Sequence, residues 1–161
     1  MKIKEKISVI YPVSQHTNFA DYVKKSIPPS PDITLRVDEL PKSIDIKAII
    51  GTHLKYEPGV NYHIRGFVKD ENGDLVTSEN GESSSKTGSV YFNIDLQDGM
   101  VSYLCDYTFL NLYIKSEGMY QLEISLYSGF IEDNPTSQGK IHSNSSYLLV
   151  TKNSNDEVSN G

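Results

Sequence analysis

The sequence has one cysteine, no tryptophan, only two arginines beside thirteen lysines, and no long apolar run. Each shortage excludes something. The single Cys105 rules out an intramolecular disulfide, and its place in the apolar run Val101 to Tyr107 marks it as a small buried hydrophobe in a reducing compartment. No stretch approaches the ~18 consecutive apolar residues that span a bilayer as a helix. The apolar segment Ile7 to Val13 is broken by Ser8 and Pro12 and lacks a small-residue cleavage site, so no signal peptide is expected. A cytoplasmic location follows as the expectation, and the sequon Asn144-Ser145-Ser146 reads as chance.

Basic charge is also short. Twenty-one acidic against fifteen basic residues give a net charge of -6, whereas nucleic-acid binding draws on clustered Lys and Arg that release counterions from phosphates. The one dense basic run, Lys2, Lys4 and Lys6, alternates with Ile3, Glu5 and Ile7 and reads as the wet face of a strand. No nucleic-acid and no membrane partner is expected. The sequence likewise lacks a Walker A loop, Gly-x-Gly-x-x-Gly, Cys-x-x-Cys, His-Glu-x-x-His and Gly-x-Ser-x-Gly, so enzyme activity has no positive support and no cofactor is implied. An abundance of Lys, Ile, Asn, Ser and Tyr is the usage of an A/T-rich genome, which points to a bacterium or its phage.

What is present is period-two alternation between turn residues. Ile33, Leu35 and Val37 alternate with polar neighbours, as do Ile44 through Leu54, Val90 through Leu96, and Tyr120 through Leu126. One-sided alternation without long helical segments predicts an all-β chain, an antiparallel sandwich of about 7–9 strands. One short helix is expected at Phe19 to Ile27, capped by Asn18 and stopped by Pro28 and Pro29. Residues 1–151 form one sandwich domain on this reading, and 152–161 a disordered polar tail. At 161 residues the chain buries enough surface to hold a core unaided. The polar run Glu79 to Gly88 is expected to be a mobile loop, and a bulge is expected near Thr108, where the apolar parity switches.

Two turns invite pairings. Asn72-Gly73 supplies the positive φ angles of a hairpin. A three-residue loop at Glu57-Pro58-Gly59 aligns the apolar faces of its flanking segments, which as a hairpin sets Leu54 opposite Tyr62 and His53 opposite His63. Two imidazoles are too few for a zinc site. The same outward face would carry Ile49 opposite Phe67, an apolar pair on a nominally wet surface. Ile49, Phe67, His53 and His63 are therefore the candidate interface, covered either by the segment Phe19 to Ile27 or a loop of the same chain, or by a partner, another protein or a second copy.

Asp70, Asn72 and Asp74 lack the spacing of an EF-hand loop and are explained by their turn. Glu132 and Asp133 with Asp95 and Asp98 are the residues for an alternative, a calcium- or small-ligand-binding sandwich using its end loops. An atypical hydrolase is a further alternative, since sandwiches host many chemistries.

The run Glu117-Gly118-Met119-Tyr120-Gln121-Leu122 resembles the Gly-x-Tyr step before a late strand of immunoglobulin-like sandwiches, where a Tyr hydroxyl ties down a corner. With the Asn72-Gly73 hairpin, the stretch Ile33 to Val150 is similar to immunoglobulin-like or C2-like sandwiches of bacterial and phage proteins. Leu122 stands where the second cysteine of true immunoglobulin domains would fall. The resemblance implies a fold and no functional residue. The reading that results is a non-enzymatic, macromolecule-binding accessory protein of bacterial, phage or mobile-element origin.

Overall fold

The computed structural model describes residues 4–95, 99–130 and 139–154, without the side chains of 89–95 and 130. In chain order the elements are β1 (Lys6–Pro12), α1 (Phe19–Lys25), β2 (Thr34–Val37), β3 (Lys42–Lys55), β4 (Val60–Lys69), β5 (Leu75–Val76), β6 (Ser84–Asp95), β7 (Met100–Ile114), β8 (Gly118–Phe130) and β9 (Gly139–Lys152). They form two sheets, ordered β1-β3-β7-β6 and β2-β9-β8-β4-β5. Every pair is antiparallel except β2 with β9. The chain is an all-β sandwich with one short helix.

Alternation makes the core. Ile44, Ile46, Ala48 and Ile50 of β3 and Cys105, Tyr107 and Phe109 of β7 meet Leu122, Ile124 and Leu126 of β8 and Leu148 and Val150 of β9 between the sheets. The parity switch on β7 is a bulge, as expected, but it falls at Leu110–Asn111: Ile44 faces Leu112 while Ile46 faces Phe109. Asn111 takes a φ of 52° there, and its amide donates to Asp45 Oδ1 at 2.9 Å. The corner before β8 is tied by the Tyr120 hydroxyl, which donates to the Ser116 carbonyl at 2.8 Å. That is the contact the Gly-x-Tyr resemblance implies.

Two local expectations are corrected. The segment Glu79 to Gly88 is not all loop: β6 begins at Ser84, which faces Leu110. Polarity did not prevent pairing, because β6 is an edge strand and its polar side chains stay wet. The segments flanking Glu57-Pro58-Gly59 are not a hairpin. β3 pairs with β1 and β7, β4 pairs with β8 and β5, and the link crosses from one sheet to the other. Parity alone could not separate these arrangements, since two strands facing each other across a core also turn their apolar sides together.

Helix α1 is shorter than Phe19 to Ile27 but has the expected start. Asn18 Oδ1 accepts the Ala20 amide at 3.3 Å, and Ser26, with φ 52°, closes the last turn. None of its residues is fully buried. Phe19 and Val23 pack over Ile49 together with Tyr11, Val13 and Leu104. Lys47 anchors the approach by donating to the Thr17 carbonyl at 2.6 Å.

Candidate functional site

The four residues singled out from the sequence separate onto two surfaces. Ile49 and His53 lie on the outer face of the four-stranded sheet, where Ile49 faces Asp106 and Tyr11, and His53 faces Ser102 and Lys6. His63 and Phe67 lie on the outer face of the five-stranded sheet, where they face Tyr127 and Glu123. The expected oppositions of His53 to His63 and Ile49 to Phe67 do not form, because each pair is split between sheets. Ile49 is 0% exposed under α1, so it offers no surface to a partner. His53 is half-buried with its Nδ1 enclosed and unpartnered among the described residues, and burial, then the Lys6 charge, lowers its pKa.

The outer face of the five-stranded sheet is different, since no helix covers it among the described residues. Cross-strand register sets Leu75, Lys69, Gln121 and Tyr147 in one row across β5, β4, β8 and β9. Met119 and Leu149 form the adjoining row with Thr34, and Phe67, Glu123 and Ser145 the row on the other side. Met119, Tyr147 and Leu149 adjoin one another and are 45%, 54% and 37% exposed, while Leu75, 50% exposed, is set apart from them by Lys69 and Gln121. Polar residues bound this apolar group. Lys69 Nζ lies 3.0 Å from Glu123 Oε2, and the Arg65 guanidinium sits 5.5 Å from the Tyr127 ring centre.

Sequence reasoning expected Phe67 to point outward, but on a face shared with Ile49, and missed Met119, Tyr147 and Leu149. Met119 held a polar position in the alternation of its strand. Tyr147 and Leu149 were hidden in the run Tyr147-Leu148-Leu149-Val150, whose continuous apolarity masks which residues face inward. Their exposure is legible only once Leu148 and Val150 are seen at 3% and 0%.

Among the described residues no group of three His, Cys, Asp or Glu side chains is placed to hold a metal ion. Asp98, Glu132 and Asp133, named for the calcium alternative, lie outside the described residues, as does the Asp95 side chain. Cys105 is buried, and burial, then the neighbouring Asp106, pushes its thiol up to about 12, the opposite of what a nucleophile needs.

No protein-family model and no curated protein matches the sequence. Among solved structures, the seventh ScaB type I cohesin from Pseudobacteroides cellulosolvens aligns with 98% of this chain and 98% of its own, at 10% identity and a TM-score of 0.34. A family 123 glycoside hydrolase from Clostridium perfringens aligns with 89% of this chain at 15% identity and a TM-score of 0.35, and the chain spans about a quarter, 26%, of that enzyme. The CssB subunit of an enterotoxigenic Escherichia coli colonization factor, complemented with a donor strand from the CssA subunit, covers 75% of this chain and 94% of its own at 15% identity and a TM-score of 0.28. At these scores and identities none of the likenesses bears on what this chain does.

Proposed function

We propose that this chain is a non-enzymatic, protein-binding β-sandwich that meets its partner, a second copy or another protein, with the outer face of its five-stranded sheet. The observation that carries the reading is the exposure of Met119, Tyr147 and Leu149 side by side on a face that nothing in the described chain covers. Contact surfaces combine such an apolar centre with a polar rim, here Lys69, Glu123 and Arg65. The buried, unreactive Cys105 supports a cytoplasmic setting, and the Lys-rich, Arg-poor usage supports a bacterial, phage or mobile-element accessory protein. The net charge of -6 supports a protein partner over a nucleic acid.

The experiment compares wild type with the double variant Tyr147→Glu, Leu149→Glu by light scattering across a wide concentration range, with a thermal melt of each. It also places a photo-crosslinking residue at Tyr147 in cells that make the chain. The expected result is wild-type association or a discrete crosslink that the folded double variant loses. Equal monomer masses together with no crosslink from position 147 would overturn the reading.

A further inference from the structure

Sheet edges offer rows of unpaired amides and carbonyls, and folded proteins blunt them with short strands, bulges or covering side chains. Most edges of this sandwich are treated so. β2 has four residues and β5 has two. β6 shifts register twice against β7. β1 carries a shift between Ile7 and Val9, and its outer groups are taken by β9 side chains: the Ile7 amide donates to His142 Nδ1 at 3.2 Å, and Asn144 Nδ2 donates to the Ile7 carbonyl at 3.4 Å.

β4 is the exception. It pairs with β8 without interruption from Val60 to Lys69, yet on its other side β5 reaches only Val68 and Lys69. The direction of its backbone groups follows from the turn into β5 and the alternation of an antiparallel ladder. The Asp70 amide donates toward β5, to the Asp74 carbonyl at 3.0 Å. Even-numbered residues of β4 therefore aim their amides and carbonyls away from β8. Gly66 lies against the Tyr107 ring and hydroxyl, and the Val60 amide is taken by the Glu57 carbonyl at 3.1 Å. The amides and carbonyls of Tyr62 and Ile64 lie between these two positions with no partner among the described residues.

A cavity of about 110 Å³ adjoins this edge. It is lined by Val60 and Tyr62 of β4, Leu54 and Lys55 of β3, Tyr56 and Glu57 of the link between them, and Val101 and Tyr103 of β7. Its floor is apolar and its mouth carries Lys55 and Glu57. An apolar cavity of roughly 150 Å³ accepts benzene, so this one suits a single aliphatic side chain. On the outer side of the same stretch stand His63 and Arg65, and Arg65 has no carboxylate partner among the described residues, only the Tyr127 ring.

We propose that the β4 edge from Val60 to Arg65 is a second binding site, which takes an extended segment of another protein as an added strand. Its occupant alternates apolar and acidic residues. Backbone bonds to Tyr62 and Ile64 hold the strand, an apolar side chain enters the cavity, and acidic side chains on the outer face meet Arg65 and His63. A second folded copy pairing through its own β4 does not fit this description, because Tyr62 and Ile64 are already packed against its core and are not free to enter the cavity.

The test uses a fluorescein-labelled nine-residue peptide of alternating Val and Glu, titrated with the whole chain and read by anisotropy. A Val-Lys peptide is the charge control. The Val-Glu peptide is expected to bind saturably, at least tenfold more tightly than Val-Lys, and Arg65→Glu is expected to reverse that order. Ile64→Pro removes an amide that faces the open edge and none from the β8 ladder, so it is expected to cost at least tenfold in binding while the chain stays folded. Two N-methylated Val-Glu peptides on the wild-type chain make the result independent of that variant's folding. Methylation of one alternate set of amides should abolish binding, and methylation of the other set should spare it. The double variant Tyr147→Glu, Leu149→Glu should bind as wild type does, which separates this edge from the outer face. Absence of saturable Val-Glu binding, or equal binding of both methylated peptides, would overturn the proposal.

Discussion

The Tyr107 ring occupies the space that Gly66 leaves by having no side chain. A Cβ on Gly66 would lie 2.6 Å from Tyr107 Cε1 and 2.7 Å from both the Tyr107 hydroxyl and Phe109 Cε1. The Tyr107 hydroxyl bonds Ser85 Oγ at 2.5 Å on the adjacent strand β6 while its ring packs against Gly66, so one buried side chain joins β4 to the sheet opposite. Tyr107 and Phe109 also meet edge to face, 5.1 Å between ring centres.

Gly66→Ala is expected to destabilise the chain by about 1–3 kcal/mol, the usual cost of overpacking a filled core. Tyr107→Phe keeps the ring and removes the bond to Ser85 Oγ, at an expected cost of about 0.5–1.5 kcal/mol. Urea unfolding of both variants checks this. A Gly66→Ala protein as stable as wild type would show that the Tyr107 ring is free to move aside.

Ile49 and Phe67, alike in the sequence reading, are expected to respond differently. Ile49→Ala empties a fully buried site beneath α1 and is expected to cost about 2–5 kcal/mol. Phe67→Ala, on a half-exposed face, is expected to cost about 1 kcal/mol or less. Equal losses in denaturant unfolding would mean that the outer face over Phe67 is covered as well.

Cys105 is expected to resist thiol reagents in the folded chain at neutral pH. Burial and Asp106 push its thiol up to about 12, so the thiolate is scarce and shielded. Labelling with a chromogenic disulfide should be negligible in buffer and reach one equivalent in guanidinium. Rapid labelling of native protein would place Cys105 at an accessible surface.

His53 is expected to make stability fall in acid. Its folded pKa lies below the ordinary value of 6.5, chiefly through burial and also through Lys6, so the unfolded chain takes up the proton first. The contribution is complete above about pH 6.5 and is lost as pH drops through that value toward the lower folded pKa. His53→Gln should flatten this part of the profile in melts between pH 5 and pH 8, taken at steps of about one unit. An unchanged profile would assign the acid sensitivity to other groups.

Strand alternation, the Asn72-Gly73 hairpin, the Asn18 cap and the Gly118-x-Tyr120 corner were all written in the sequence. Each depends on residues within a few positions of one another, and on a side-chain period that only one local geometry satisfies. The same locality put the parity switch of β7 within a few residues of its bulge at Leu110–Asn111.

Sheet assignment was not local. The parity of Leu54 and Tyr62 is the same whether β3 and β4 lie side by side or face each other across the core, and only the competition of all the strands for partners places them in different sheets. That choice separated His53 from His63, put Ile49 under α1, and left the Tyr62 and Ile64 backbone groups without a partner among the described residues, beside a cavity. Exposure of Met119, Tyr147 and Leu149 was likewise decided by the fold, because a hydrophobic residue on a strand is core or surface according to which side the sheet turns inward. The sequence by itself determined most of the strands, the polar start of β6 at Ser84 excepted; which strands are neighbours, and hence which surfaces remain free, was settled by packing between residues far apart in the chain.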